Sequence, residues 1–269
     1  MTSPSTLFSV AGKNVLVTGG SRGIGYMIAQ GFAQAGANVV LTSRSEEACQ
    51  EAAAQLKCQY IASNVSSRQG CEELAMQVGK IFDNKLHCLI NNAGTSWGEP
   101  LDRKSSPKSN WGWDKVLDLN VKGMFYLTNA CLPMLQAAAT AEDPARIVNI
   151  GSVVGFVPQE APTHAYDVSK AAVHQLTRKF AADFAPQHIT VNAVAPGFVP
   201  SRMSAGLASW GGEPDKLAQT VPLKRLGQPD DMAGACIYFC SRAGAWVTGT
   251  VLPVDGGSVG ALQLPLSSL

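Results

Sequence analysis

Neither sign of charge dominates this chain of 269 residues: 21 Lys and Arg stand against 20 Asp and Glu, a formal net charge of +1. That balance supplies neither the basic stripe that grips nucleic acid nor the polybasic patch that holds an anionic membrane. Long apolar runs are missing as well. No stretch approaches the roughly 18 uninterrupted apolar residues needed to span a bilayer, and Met1–Val10 lacks the charged and apolar halves of a signal peptide. The cysteines at 49, 58, 71, 88, 131, 236 and 240 include no C-x-x-C pair, so they read as small core residues of a reducing compartment. Only Cys236 and Cys240 share a helical face, where packing is the expected reason. Histidines 87, 164, 174 and 188 show no metal-ligand spacing, and no metal is expected. Repeats, linkers and low-complexity tracts are also missing, so one domain over 1–269 in a cytoplasmic protein is the expectation. The terminal Ser267-Ser268-Leu269 lacks the basic middle residue of a peroxisomal tripeptide.

What the chain does have is a regular alternation of short β-branched runs and helical patterns. Lys13–Thr18 reads as a strand that runs into Gly19-Gly20-Ser21-Arg22-Gly23-Ile24-Gly25, and a helix with apolar Ile24, Met27, Ile28, Phe32 and Ala35 follows at once, closing near Gly36. Glycines at 19, 23 and 25 allow a tight turn and close approach to a pyrophosphate, which the N–H groups and dipole of the helix start would meet. A ligand-free glycine turn is the plainer alternative, but strand, loop and helix in that order are the context a dinucleotide site requires. The next strand, 37–42, ends at Ser43-Arg44. An Asp or Glu here would suit the ribose 2′-hydroxyl of NAD, whereas Arg44, with Arg22 in the glycine loop, suits the 2′-phosphate of NADP(H). Two solvated surface arginines would be the alternative.

The same alternation predicts helices over 46–56 and 68–82 and strands over 59–63 and 86–90, the second followed by Asn91-Asn92-Ala93-Gly94. These small residues would let a flat ligand ring lie against the backbone at a strand's carboxyl end. Residues 95–108 read as a surface loop and 111–139 as one long helix that includes Asn120. Further on come a strand at 146–150, a helix through 171–184, a strand at 189–194 broken by Ala195-Pro196-Gly197, a helix over 228–241 and a final strand over 249–254. The irregular stretch 198–225 has the length of a lid over substrate.

Asn149–Lys170, NIGSVVGFVPQEAPTHAYDVSK, organises the rest. Ser152 falls where a strand ends, and Tyr166 and Lys170 fall one helical turn apart on one face. A free tyrosine has a pKa near ~10, and a nearby ammonium favours the phenolate and lowers it. Tyr166 would then exchange a proton with a carbonyl/alcohol pair while Ser152 holds the same oxygen. Y-x-x-x-K alone equally describes an amphipathic helix with a surface Tyr and Lys; its setting favours the site.

Together these features resemble the short-chain dehydrogenase/reductase family along essentially the whole chain. T-G-G-S-R-G-I-G at 18–25, N-N-A-G at 91–94, Asn120, Ser152, Y-D-V-S-K at 166–170 and P-G at 196–197 occur in the family's order. The resemblance implies an α/β, doubly wound Rossmann fold of about seven parallel strands with helices on both faces. It implies a catalytic tetrad in which Tyr166 gives the proton, Ser152 orients the carbonyl, Lys170 holds the nicotinamide ribose and lowers the tyrosine pKa, and Asn120 anchors a water. The implied NADP(H) set is Gly19, Ser21, Arg22, Gly23, Ile24, Gly25, Ser43, Arg44, Asn64, Val65, Asn92, Ala93, Gly94, Tyr166, Lys170, Pro196, Gly197, Val199 and Ser201. A homotetramer or homodimer pairing through the helices from Trp111 and Tyr166 is implied too.

Asn64 stands where many members carry an adenine-binding Asp, and an amide there would accept the same bond more weakly. Ser152 and Tyr166 lie one residue further apart than is commonest. Within the family the likeness is to 3-oxoacyl thioester reductases, carried by 91–98, 144–153, 174–176 and 200–203. Apolar Trp97, Phe156, Val157, Phe198 and Met203 near the cleft suit an acyl chain, although Trp97 and Phe156 would serve subunit packing equally. The expected function is an NADPH-dependent ketone reductase acting on an acyl-thioester substrate. A polyol, sugar acid or other small ketone is the alternative, and a non-catalytic NADP(H)-binding regulator is disfavoured because Tyr166 and Lys170 are both present.

Overall fold

In the computed structural model, which describes residues 3–99, 101, 112–200 and 214–261, seven parallel strands form one sheet in the order β3-β2-β1-β4-β5-β6-β7. The strands are β1 (Asn14–Thr18), β2 (Asn38–Ser43), β3 (Gln59–Ala62), β4 (Cys88–Asn91), β5 (Ala145–Ile150), β6 (Ile189–Pro196) and β7 (Val251–Val254). A short helix α1 (Pro4–Leu7) leads in, and α2 (Gly23–Gln34), α3 (Glu46–Leu56) and α4 (Arg68–Ile81) connect the first four strands. Then come α5 (Trp113–Leu117), α6 (Met124–Ala138), α7 (His164–Phe184), α8 (Pro214–Thr220) and α9 (Pro229–Cys240). Among the described residues no helix is long and apolar enough to cross a membrane, and no cluster of metal-ligating side chains occurs.

The strands read as continuous apolar runs because both faces of the sheet are covered. Successive residues of β1 show this directly. Leu16 turns to one side, with Leu89, Ile147 and Val191 of neighbouring strands, beneath α4, α6 and α7. Val15 and Val17 turn to the other, with Ile90 and Val148, beneath Ile28 and Phe32 of α2 and Met232 and Phe239 of α9. Each such fully buried side chain contributes about 1.5–3 kcal/mol. The helices α2 and α9 meet where Gly31 faces Ala233; a Cβ at Gly31 would come within 2.4 Å of the Ala233 Cβ. Cys236 and Cys240 both lie in this core, as their spacing predicts, and all seven cysteines are free thiols.

Several expected boundaries shift, among them the start of the last strand, which lies at Val251 rather than 249. The helix expected across 111–139 is interrupted: α5 gives way to a π-helical turn, Asp118–Gly123, before α6 begins. β6 continues through Pro196 instead of breaking at Ala195, because near the sheet's end a ladder donor is not needed and Pro196 simply pairs in register with Val254. β4 begins at Cys88, two residues later than expected. Trp111, Met203 and much of 198–225 lie outside the described residues.

Candidate active site

The order of strands reverses direction between β1 and β4, which opens a crevice at their carboxyl ends. Gly19 and Gly23 carry positive φ, 64° and 57°, a conformation that excludes most side chains. Gly25, in the first turn of α2, leaves no room for a Cβ, which would sit 2.2 Å from the Gly19 carbonyl oxygen. No side chain caps α2, so its first-turn N–H groups remain for an anion, and the loop fits a pyrophosphate. Ser21 Oγ donates to Ser43 Oγ at 2.9 Å, tying this loop to the end of β2. Arg22 and Arg44 are both exposed, and neither makes an ion pair among the described residues. Two uncommitted guanidiniums beside an open phosphate cradle fit a 2′-phosphorylated dinucleotide. Ile24 instead packs against the core.

Asn92 is committed to the fold through its side chain. Its Nδ2 donates to the Thr18 carbonyl at 2.8 Å, and Thr18 Oγ1 accepts from the Asn92 and Ala93 N–H groups at 2.9 Å each. Asn92 therefore locks β4 to the glycine loop. Gly94 leaves space for the Asn120 amide, whose oxygen a Cβ would approach to 3.3 Å. Asn64 is exposed, but its Oδ1 already accepts from Ser66 Oγ at 2.8 Å and Ser66 N at 3.3 Å. The adenine contact expected of that oxygen is thus not prearranged, and Val65 beside it is buried in the core. Pro196 ends β6, Gly197 packs against Asp255, and Val199 is buried; Ser201 lies outside the described residues.

Ser152, Tyr166, Lys170 and Asn120 converge at the ends of β4 and β5. Ser152 leaves β5 and starts a single 3-10 turn, Val153–Gly155. Its hydroxyl accepts from Val154 N at 3.4 Å and acts on the Tyr166 phenol in the direction that favours the phenolate. The Lys170 ammonium sits 5.6 Å from the Tyr166 ring centroid and donates to the Ile150 carbonyl at 2.8 Å. Asn120, on the π-helical turn, is almost fully buried. Its Oδ1 accepts from Thr95 N at 2.8 Å, while Nδ2 donates to Thr95 O at 3.0 Å and Ser169 Oγ at 2.9 Å. Ser169 in turn donates to the Tyr166 carbonyl at 2.7 Å. The extra π residue lets Asn120 face the β4 loop and α7 at once.

The electrostatics differ from expectation in one respect. Desolvation holds the Tyr166 phenol above its ordinary value, with the Ser152 hydroxyl opposing the rise and Asp167 adding to it. Lys170 is not among the groups that shift it, and burial pushes its own ammonium down to about 8, which leaves it largely charged at neutral pH. The phenol therefore keeps its proton at neutral pH. That is the state a carbonyl needs from a general acid.

Residues not singled out by pattern complete the site. A buried amide chain runs behind it: Asn91 Nδ2 donates to Thr128 Oγ1 at 3.1 Å and Asn149 Oδ1 at 2.9 Å, and Asn149 Nδ2 donates to Thr177 Oγ1 at 2.9 Å. Polar residues inside apolar strands are the only sequence signal for it. Trp97 lies against Gly112 with Lys115 Nζ 4.7 Å from its ring centroid, Phe156 covers His174 at 4.5 Å, Val157 is exposed beside it in the chain, and the Phe198 carbonyl accepts from Gly227 N at 2.9 Å. A cavity of about 860 Å³ opens at the other end of the sheet, among Asn14, Asn38 and Gln59, and takes no part in this site.

A family model described as enoyl-(acyl carrier protein) reductase matches residues 19–259. The chain belongs to the short-chain dehydrogenase/reductase family. Among family members it is 46% identical to the rhamnolipids biosynthesis 3-oxoacyl-[acyl-carrier-protein] reductase of Pseudomonas aeruginosa, over 93% of this chain and 97% of that one. It is 33% identical to the 3-oxoacyl-[acyl-carrier-protein] reductase FabG of Aquifex aeolicus, over 91% and 97%. The solved Pseudomonas aeruginosa RhlG/NADP active-site complex superimposes with a TM-score of 0.88 at 44% identity, covering 94% of this chain and 98% of that one. The doubly wound short-chain dehydrogenase/reductase fold expected from the motifs is the one observed.

Proposed function

We propose that this chain is an NADPH-dependent carbonyl reductase that reduces a 3-oxoacyl thioester to the 3-hydroxyacyl thioester. The observation that carries the reading is the convergence of Ser152, Tyr166 and Lys170 at the crevice, with the Lys170 ammonium 5.6 Å from the Tyr166 ring centroid and fixed by the Ile150 carbonyl. The activity printed for both 3-oxoacyl reductase relatives supports the substrate class. The RhlG/NADP complex and the pair Arg22 and Arg44 support NADP(H).

When bound, the reduced nicotinamide supplies a hydride to the carbonyl carbon. Residues of this chain manage the oxygen and its proton. The Ser152 and Tyr166 hydroxyls donate to the ketone oxygen and favour the charge that develops there. Tyr166 passes its proton to that oxygen as the hydride arrives, which leaves a neutral alcohol and a phenolate. Lys170, fixed by the Ile150 carbonyl, holds the nicotinamide ribose and lowers the cost of the phenolate by its charge. Both N–H donors of the Asn120 amide are already taken by Thr95 and Ser169. We therefore assign that side chain to holding the π turn against α7.

The reading extends to a lid over substrate within 198–225 and to a homotetramer or homodimer pairing through α6 and α7, where Phe125 and Val168 are exposed apolar side chains. A cytoplasmic location accords with seven free thiols. The test is NADPH oxidation by the purified protein with acetoacetyl and longer 3-oxoacyl thioesters beside a panel of sugar acids, polyol-derived ketones and cyclic ketones. Turnover concentrated on the thioesters is expected; preference for a sugar acid or small ketone would replace the substrate assignment.

A further inference from the structure

His174 lies one helical turn beyond Lys170 on α7, is 3% exposed, and has no part in the proton transfer described above. Its surroundings are specific. Gly151 and Gly155 flank the turn that carries Ser152, and both are shaped to the imidazole. A Cβ at Gly151 would meet His174 Nε2 at 2.5 Å and Cδ2 at 2.8 Å, and a Cβ at Gly155 would meet Cε1 at 2.5 Å and Nδ1 at 2.8 Å. The Phe156 ring covers the outer side with centroids 4.5 Å apart. The Gly155 backbone acts on the imidazole in the direction that favours its charged form, while Nε2 is buried with no partner among the described residues. The charged groups facing it are Lys170 and Arg178, and with burial they hold it down at about 4.

The Ser152 turn is tied to the sheet on one side only. Gly151 N donates to the Val194 carbonyl at 2.8 Å, and Gly155 N closes the turn on the Ser152 carbonyl at 3.0 Å. On the other side, the imidazole fills the gap between this backbone and α7, which carries Tyr166. We propose that His174 is a positioning residue whose ring, seated between Gly151 and Gly155, sets the separation of the Ser152 hydroxyl from the Tyr166 phenol. The inference rests on Ser152 and Tyr166 being the pair that holds the ketone oxygen.

The two glycines make unequal probes. A Cβ at Gly155 would also press on the Lys170 backbone at 2.9 Å, so that position is closed by the helix itself. At Gly151 the next neighbour after the imidazole is the Val194 carbonyl oxygen at 3.5 Å, an ordinary contact. The conflict created by Gly151→Ala is therefore with His174 alone, and shortening His174 should relieve it.

The experiment compares the full-length wild type, Gly151→Ala, His174→Ala, the double variant and Tyr166→Phe. It measures kcat with acetoacetyl-CoA, NADPH affinity by fluorescence and the thermal midpoint. Displacement of a catalytic group by about 1 Å costs up to roughly 100-fold. Gly151→Ala and His174→Ala should each lower kcat by about 10- to 100-fold with NADPH affinity nearly unchanged, and the double variant should turn over faster than Gly151→Ala. Wild-type kcat in Gly151→Ala, or losses that multiply in the double variant, would overturn the proposal. Should Gly151→Ala not fold, His174→Ala decides: kcat lost at constant NADPH affinity and thermal midpoint supports positioning, and parallel loss of all three overturns it. Turnover retained by Tyr166→Phe would instead remove the catalytic reading beneath it.

Discussion

A half-buried phenol beside a hydroxyl is a proton donor in waiting, and this is how Tyr166 is set. Desolvation outweighs the opposing effect of the Ser152 hydroxyl, so the proton leaves only when a stronger base, the developing alkoxide, is presented to it. The two arginines at the other end of the crevice act through charge and charge-assisted hydrogen bonds. Arg44 is exposed at the close of β2, with no fixed carboxylate to satisfy among the described residues. Hydrogen bonds to a charged group contribute about 1.5–3 kcal/mol. Arg44→Ala should therefore weaken NADPH binding by roughly 10- to 100-fold and leave NADH binding nearly unchanged. Equal losses for both cofactors in a titration would contradict the 2′-phosphate assignment.

At the scale of elements, α7 connects the chemistry to the core. Tyr166 and Lys170 face the crevice, His174 fills the gap under the Ser152 turn, and Thr177 ends the buried amide chain from Asn91 and Asn149. Asn149 accepts from one neighbour and donates to another inside a strand buried on both faces. Asn149→Ala removes both bonds and leaves Thr177 and Asn91 short of a partner, at a cost of about 2–4 kcal/mol. Urea unfolding at fixed protein concentration should register that loss; a change under about 1 kcal/mol would show that water replaces the chain. The i, i+4 placement of Tyr166 and Lys170 was legible because a helix has only one period. The π-helical turn at Asn120 was not, since local propensity in 111–139 is helical throughout and only contacts with Thr95 and Ser169 across the fold select the wider turn. His174 was invisible for a related reason: a histidine in an apolar helix carries no mark of the two glycines it meets, 23 and 19 residues upstream in the chain.

For the molecule as a whole, sequence and structure agree where physics is short in range. Strand, glycine loop and helix at 14–34, and strand, turn and helix at 145–184, each state their own geometry. The parallel sheet then follows from their alternation. What pattern alone does not reveal is the opposite end of the sheet. There Lys13 pairs with Asp143 at 2.6 Å and Asp143 with Arg146 at 3.1 Å, and the buried Arg146 donates to the Phe239 carbonyl at 3.1 Å. This network binds β1, β5 and α9 together far from the crevice, and leaves the carboxyl ends of the strands free for the site. If Tyr166 supplies the proton at a crevice shaped for NADPH, removing its hydroxyl must slow the chemical step itself. The most direct measurement is a single turnover of Tyr166→Phe with saturating NADPH and a 3-oxoacyl thioester. The rate should fall by about 10²- to 10⁴-fold while NADPH binds as in the wild type. A rate within a few-fold of wild type would contradict that role.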